Sequence, residues 1–159
     1  MYKINDYVVY KKDVCKIVDI KEKDNGIEYY NLVPVSDESL KIDVPVTNEQ
    51  GFIRSLVTRE EIDSIINKMK DIALLTSTNN MLENNYKELL RDGSFESLIK
   101  IIKTTYLRNK EREDKNKKKS DRDTYYLNLA EKYLYTEFSV VLGLTVDETR
   151  DYIINKIEG

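Results

Sequence analysis

Hydrophobic positions change their spacing once along this chain, near residue 57. Before that point they recur in twos. Tyr7, Val8, Val9 and Tyr10 form a short apolar run, residues 14–20 alternate, and residues 27–33 resume after Asp24, Asn25 and Gly26. An Asn-Gly pair supplies the positive φ angles of a tight hairpin turn, so the two longer runs read as paired strands. Pro34 ends the second, because proline cannot donate to a sheet ladder. Residues 40–44 alternate again, with Leu40, Ile42 and Val44 on one face and Lys41 and Asp43 on the other, until Pro45. The pattern predicts five short strands within residues 1–56, curled into a small barrel of the SH3 or Tudor kind. At least one edge of such a barrel stays open to a partner strand.

Beyond residue 57 the spacing becomes three and four. Thr58 and Glu61 form a capping box that opens a helix carrying Ile62, Ile65, Ile66, Met69 and Ile72. Asn80 with Glu83 caps a second helix, carrying Leu82, Tyr86, Leu89 and Leu90 and stopped by Asp92 and Gly93. Ser94 opens a third, with Phe95, Leu98, Ile99, Ile102 and Tyr106 on one face. Ser120 opens a fourth, with Leu127, Ala130, Leu134, Val141 and Leu142 leading to Gly143. A second capping box, Thr145 with Glu148, opens a fifth that carries Tyr152, Ile153 and Ile157. The expected fold is therefore α+β: a β-barrel over residues 1–56, then a compact five-helix domain over residues 57–159.

Composition narrows the chemistry. The chain has no histidine and one cysteine. The commonest general base and the commonest metal ligand are thus missing, and zinc sites of Cys/His type and His-dependent nucleophile pairs are excluded. No acidic pair stands in an apolar setting, so we expect no catalytic residue, no metal and no cofactor. Cys15, in an alternating strand, reads as a small buried hydrophobe, and a chain without a second cysteine for a disulfide fits a reducing cytoplasm. No apolar run approaches the ~18 residues of a membrane helix.

Charge adds one feature. The net charge is −3, yet residues 100–122 hold ten Lys/Arg against four Asp/Glu, or +6. A cationic helix end and loop on a mildly acidic chain predicts a polyanionic partner, reached through Lys115, Lys117, Lys118, Lys119 and Arg122. A solvated linker between two helices is the other reading of such a run.

Taken in order, Asp6-Tyr7-Val8-Val9-Tyr10, Glu28-Tyr29-Tyr30 with Leu32, and Leu40-Lys41-Ile42-Asp43-Val44-Pro45 make a pattern that continues into the helices. There it is carried by Tyr86-Lys87-Glu88-Leu89-Leu90, by Gly93, and by Leu129-Ala130-Glu131-Lys132. The pattern resembles the CarD/CdnL family of bacterial transcription regulators. That resemblance implies a monomeric, nucleoid-associated protein whose barrel binds the RNA polymerase β subunit. Its helical domain would touch promoter DNA, weakly and without reading sequence, and so alter the stability of the open complex. The implied polymerase contacts are Lys23, Leu40, Lys41, Ile42, Asp43 and Val44. The implied DNA contacts are Lys87 and the basic residues named above, with an apolar wedge at Leu82 or Met81 where the family carries tryptophan. This chain has no tryptophan, and it has Asn84 and Asn85 where the family is basic. An adaptor that binds polymerase through the barrel and another protein through the helices is the alternative.

Overall fold

A computed structural model describes residues 1–159, which divide into two compact units, Met1–Val57 and Thr58–Gly159. The first holds β1 (Tyr7–Tyr10), β2 (Asp13–Glu22), β3 (Glu28–Pro34), β4 (Ile42–Pro45) and β5 (Ile53–Ser55). They form one antiparallel sheet in the order β4-β3-β2-β1-β5, curled into a half-barrel. β2 causes much of the curl. Its register against β3 slips between Ile17 and Asp19, and such a bulge bends and twists a strand. Val8, Cys15, Ile17, Tyr30, Leu32, Val44 and Ile53 fill the concave face.

The N-terminal residues cross the curl. Tyr2 N–H donates to the Tyr30 hydroxyl at 3.1 Å, and the Tyr2 hydroxyl meets Ser55 Oγ at 2.9 Å. Asn5 N–H donates to the Ile17 carbonyl at 2.7 Å, and Ile17 N–H donates to that of Asp6 at 2.9 Å. Residue 2 therefore links β3 to β5, which are not neighbours in the sheet.

Two local expectations need correction in this unit. The turn between β2 and β3 uses one positive φ, not two: Gly26 at +75°, with Asn25 in ordinary backbone. Gly26 N–H donates to Lys23 and Lys23 N–H to Ile27, the pattern of a three-residue hairpin loop with Gly in the left-handed position. The second correction concerns residue 40. β4 begins at Ile42, and Leu40 is 51% exposed rather than facing the core. Asp37 is the cause, since its carbonyl accepts from Leu40 N–H and its carboxylate from Ser39 N–H, which holds residues 37–40 in a turn.

The second unit holds α1 (Arg59–Lys68), a 3₁₀ turn (Met69–Asp71), α2 (Asn79–Asp92), α3 (Phe95–Asp114), α4 (Asp121–Leu142) and α5 (Val146–Glu158). Both capping boxes form as the sequence predicts, and Gly93 and Gly143 close α2 and α4 in the left-handed conformation. The start of α2 differs. Its N-cap is Thr78, without a side-chain hydrogen bond, and Asn80 lies inside the helix. α3 is the centre of this unit. Leu98, Ile99, Ile101, Ile102, Thr104, Thr105 and Asn109 are all buried, more than one helical face, because α2 and α4 both pack on it. No helix is long and apolar enough to cross a membrane.

Candidate protein- and nucleic-acid-binding surfaces

In the first unit the question is which backbone groups remain unpaired at the sheet edges. Val46 N–H donates to the Glu28 carbonyl at 3.0 Å. Antiparallel pairing alternates, so Ile42 and Val44 also bond toward β3, and the N–H and C=O of Asp43 face outward. Lys41, one step before β4, shares that outward phase. The other edge is occupied. Lys11 N–H donates to the Phe52 carbonyl at 2.9 Å, which turns Arg54 toward β1 and Ile53 outward. The Asn48 side chain takes both outward groups of Ile53, donating to its carbonyl at 2.8 Å and accepting its N–H at 3.1 Å. β4 is the open edge.

The side chains along that edge are tied to one another. Lys23 Nζ lies 2.9 Å from an Asp43 carboxylate oxygen and 4.4 Å from the Tyr29 ring centroid. Asn31 Nδ2 donates to the other oxygen at 2.9 Å. Hydrogen bonds from Asn31 and then Lys23 hold the Asp43 carboxyl below the usual range, and the bond to Asp43 raises Lys23. Lys23, Ile42, Asp43 and Val44 are thus brought together at β4, although Val44 is buried and presents only backbone. Leu40 and Lys41 flank it from the preceding turn.

In the second unit the expected DNA contacts separate. Leu82 is 1% exposed and packs in the core of the unit, so it cannot press on a base step. Its place in the stripe with Tyr86 turns it inward, and that corrects the wedge expectation for this residue. Met81 is one position around the helix and 53% exposed. Lys87 is exposed and 3.7 Å from Glu83.

The basic run is a fixed turn between α3 and α4. The Arg112 carbonyl accepts from Lys115 N–H at 3.1 Å and Lys117 N–H at 2.8 Å, and Arg112 Nε donates to the Lys118 carbonyl at 2.7 Å. Asn116 takes a positive φ of 58° to make the turn. Buried Asn109 anchors the far end, accepting Ser120 N–H at 2.9 Å and donating to Thr124 Oγ1 at 3.1 Å. Lys115 lies 2.9 Å from Glu111 and Lys119 3.7 Å from Glu113, which leaves Lys117 and Lys118 outside the ion pairs of this turn, with Lys117 still within the electrostatic reach of Glu111.

Arg122 departs from the expected role. Its Nη1 donates to the Asn79 carbonyl at 3.3 Å, and its Nε lies 3.7 Å from Asp123 Oδ1. It belongs to a cluster built on Asp123, which is wholly buried and also receives Tyr86 Oη and Arg108 Nε, each at 2.9 Å. Sequence reasoning missed this cluster. The available signal was Ser120-x-x-Asp123, which has capping-box spacing. The Ser120 hydroxyl does accept Asp123 N–H, while the Asp123 carboxylate turns inward to Tyr86 and the arginines.

Two chemical possibilities can be placed. Cys15 is buried, and desolvation followed by Asp13 pushes its thiol up to about 11, so it is a poor nucleophile at neutral pH. No group of three or more Cys, Asp or Glu side chains is arranged to hold a metal ion. What the chain presents is one open sheet edge beside an ion pair and one hydrogen-bonded turn with two lysines outside any ion pair. Compared with models of known protein families and with curated proteins, the chain matches none.

Proposed function

We propose that this protein is a non-enzymatic transcription regulator of the CarD/CdnL kind. It binds the RNA polymerase β subunit through the open edge of β4 and meets promoter DNA through the turn between α3 and α4. One observation carries the reading: of the two edges of the half-barrel, β5 is taken by Asn48 and β4 is open. An open edge invites an added strand, in which backbone hydrogen bonds provide affinity and flanking side chains provide register. Of the residues that carry the family resemblance, those of the first unit fall on or beside β1, β3 and β4, and Lys23 and Lys41 flank the open edge.

The DNA part is narrower than a basic run implies. Lys117 and Lys118 are the unpaired cations, fixed by Arg112, and their contacts are with phosphates rather than base edges. Burial of Leu82 and the pairing of Lys115 and Lys119 favour a second reading, in which the helical unit binds a protein instead of DNA.

Purified core polymerase and a β-subunit fragment, each titrated with the full chain, test the proposal. Both should bind, and joint reversal of Lys23 and Lys41 to Glu should weaken binding by about 1–3 kcal/mol. Absence of binding to either overturns it. Absence of salt-dependent DNA binding by the full chain selects the second reading.

A further inference from the structure

We infer that the seam of the half-barrel is a side-chain subsite. It takes one aliphatic or aromatic residue of an extended partner segment paired on β4, with an acidic residue of that segment against Lys11. The inference rests on the proposed function for the owner of the segment, the polymerase β subunit.

The seam is where the curled sheet fails to close. Between β4 and the connection over residues 46–52 lies a cleft of about 210 Å³, lined by Val44, Pro45, Asn48, Tyr10 and Phe52 among others. Clefts for whole small molecules run to roughly 300–1,000 Å³, so this one is of a size for a side chain. Its aromatic wall is accessible. Phe52 is 39% exposed, and its ring stands edge-on to Tyr10 with centroids 6.2 Å apart. Asp43, whose N–H and C=O face outward from β4, also lines this cleft, so a segment bonded to them passes a side chain by it every second residue.

Charge selects what flanks that side chain. Lys11 Nζ sits 5.4 Å from the Tyr10 centroid and 5.3 Å from that of Phe52, held over the two rings by their negative faces. The backbone helps to fix it, since Lys11 has a φ of 56° and donates its N–H to Phe52. No carboxylate of this chain pairs with its ammonium. Asp43 is already satisfied by Asn31 and Lys23, whereas Glu49 on the rim has no cation. An incoming acid is therefore attracted by Lys11 and repelled by Glu49, which selects the composition of the segment.

The probe is a short peptide alternating valine with glutamate, titrated into the full chain and followed by amide NMR. Its control carries lysine in place of glutamate. The glutamate peptide should bind, protect the Asp43 amide from hydrogen exchange, and bind about tenfold tighter than the lysine peptide. Phe52→Ala should weaken it about tenfold and Phe52→Leu much less. Lys11→Met should erase the preference between the two peptides. Equal binding of the two peptides by the native chain, or an Asp43 amide that stays unprotected, overturns the inference. So does an unchanged affinity in a Phe52→Ala chain whose spectrum is native. Polymerase separates this inference from the reading beneath it. If the peptide behaves as expected and core polymerase does not bind, the subsite stands and polymerase is not its owner. If polymerase binds the native and Phe52→Ala chains alike, the subsite fails and the polymerase reading stands.

Discussion

The hydroxyl of Tyr86 donates to Asp123 Oδ1 at 2.9 Å, and both residues are wholly buried. This contact ties the middle of α2 to the first turn of α4. Arg108 from α3 completes it at the other carboxylate oxygen. A buried carboxylate is tolerated only when its oxygens are matched, and here three helices supply the partners. The same environment, burial first and Asp123 second, pushes the Tyr86 phenol far above its ordinary value, so it stays a donor at any physiological pH.

Tyr86→Phe should therefore keep the fold and lose about 1.5–3 kcal/mol, the range for a hydrogen bond to a charged group. Urea unfolding of the full chain measures it. A loss below ~0.5 kcal/mol would mean that Arg108 and Arg122 satisfy Asp123 without the Tyr86 hydroxyl.

Neighbouring positions on α2 should respond oppositely to truncation. Leu82→Ala should cost about 2–5 kcal/mol, as core leucines do. Met81→Ala, at a mostly exposed position, should fall within about 0.5 kcal/mol of the parent. A destabilised Met81→Ala chain would show that Met81 packs on more than its exposure indicates.

Glu131 offers a pH test. It is 8% exposed, and burial raises its carboxyl while Arg150, at 3.2 Å, pulls it partly back. For an acid whose folded value is raised, the folded state holds the proton more tightly than the unfolded one. Its contribution is then fully present below the unfolded value of 4.5 and declines as pH rises through the folded value. Glu131→Gln should gain stability relative to the parent across that interval. A Gln variant that loses ground as pH rises would mean that the Arg150 pairing outweighs desolvation.

For the turn between α3 and α4, each phosphate neutralised on duplex DNA contributes about −0.9 to the slope of log K against log salt. Replacing Lys117 and Lys118 by Ala should flatten that slope by about 1.8. Replacing Lys115 and Lys119 should change it less, because Glu111 and Glu113 already neutralise them. Titrations at several salt concentrations decide it, and equal effects from the two pairs would count against the ion pairs seen here.

Local rules determined most of the architecture from sequence alone. Spacing of two, then of three and four, separated strands from helices. The capping boxes at Thr58 and Thr145, the serine caps at Ser94 and Ser120, and the stops at Gly93 and Gly143 all depend on backbone groups within a few residues of the signal. Errors arose where a neighbouring side chain had an equally local alternative, as when Asp37 drew residues 37–40 into a turn. Charge was legible as composition and not as availability. Lys115, Lys117, Lys118, Lys119 and Arg122 look alike in the sequence, yet carboxylates one or two turns away engage the first and fourth, and Asp123 with Asn79 engages the last. The core position of Leu82 was already legible in its stripe with Tyr86 and Leu89. Tertiary structure alone decided that Asn48 occupies β5 and β4 stays open, and that Tyr10 and Phe52 meet under Lys11. Each depends on segments far apart in the chain being brought together by burial of apolar surface, and burial has no direction that a local pattern can encode.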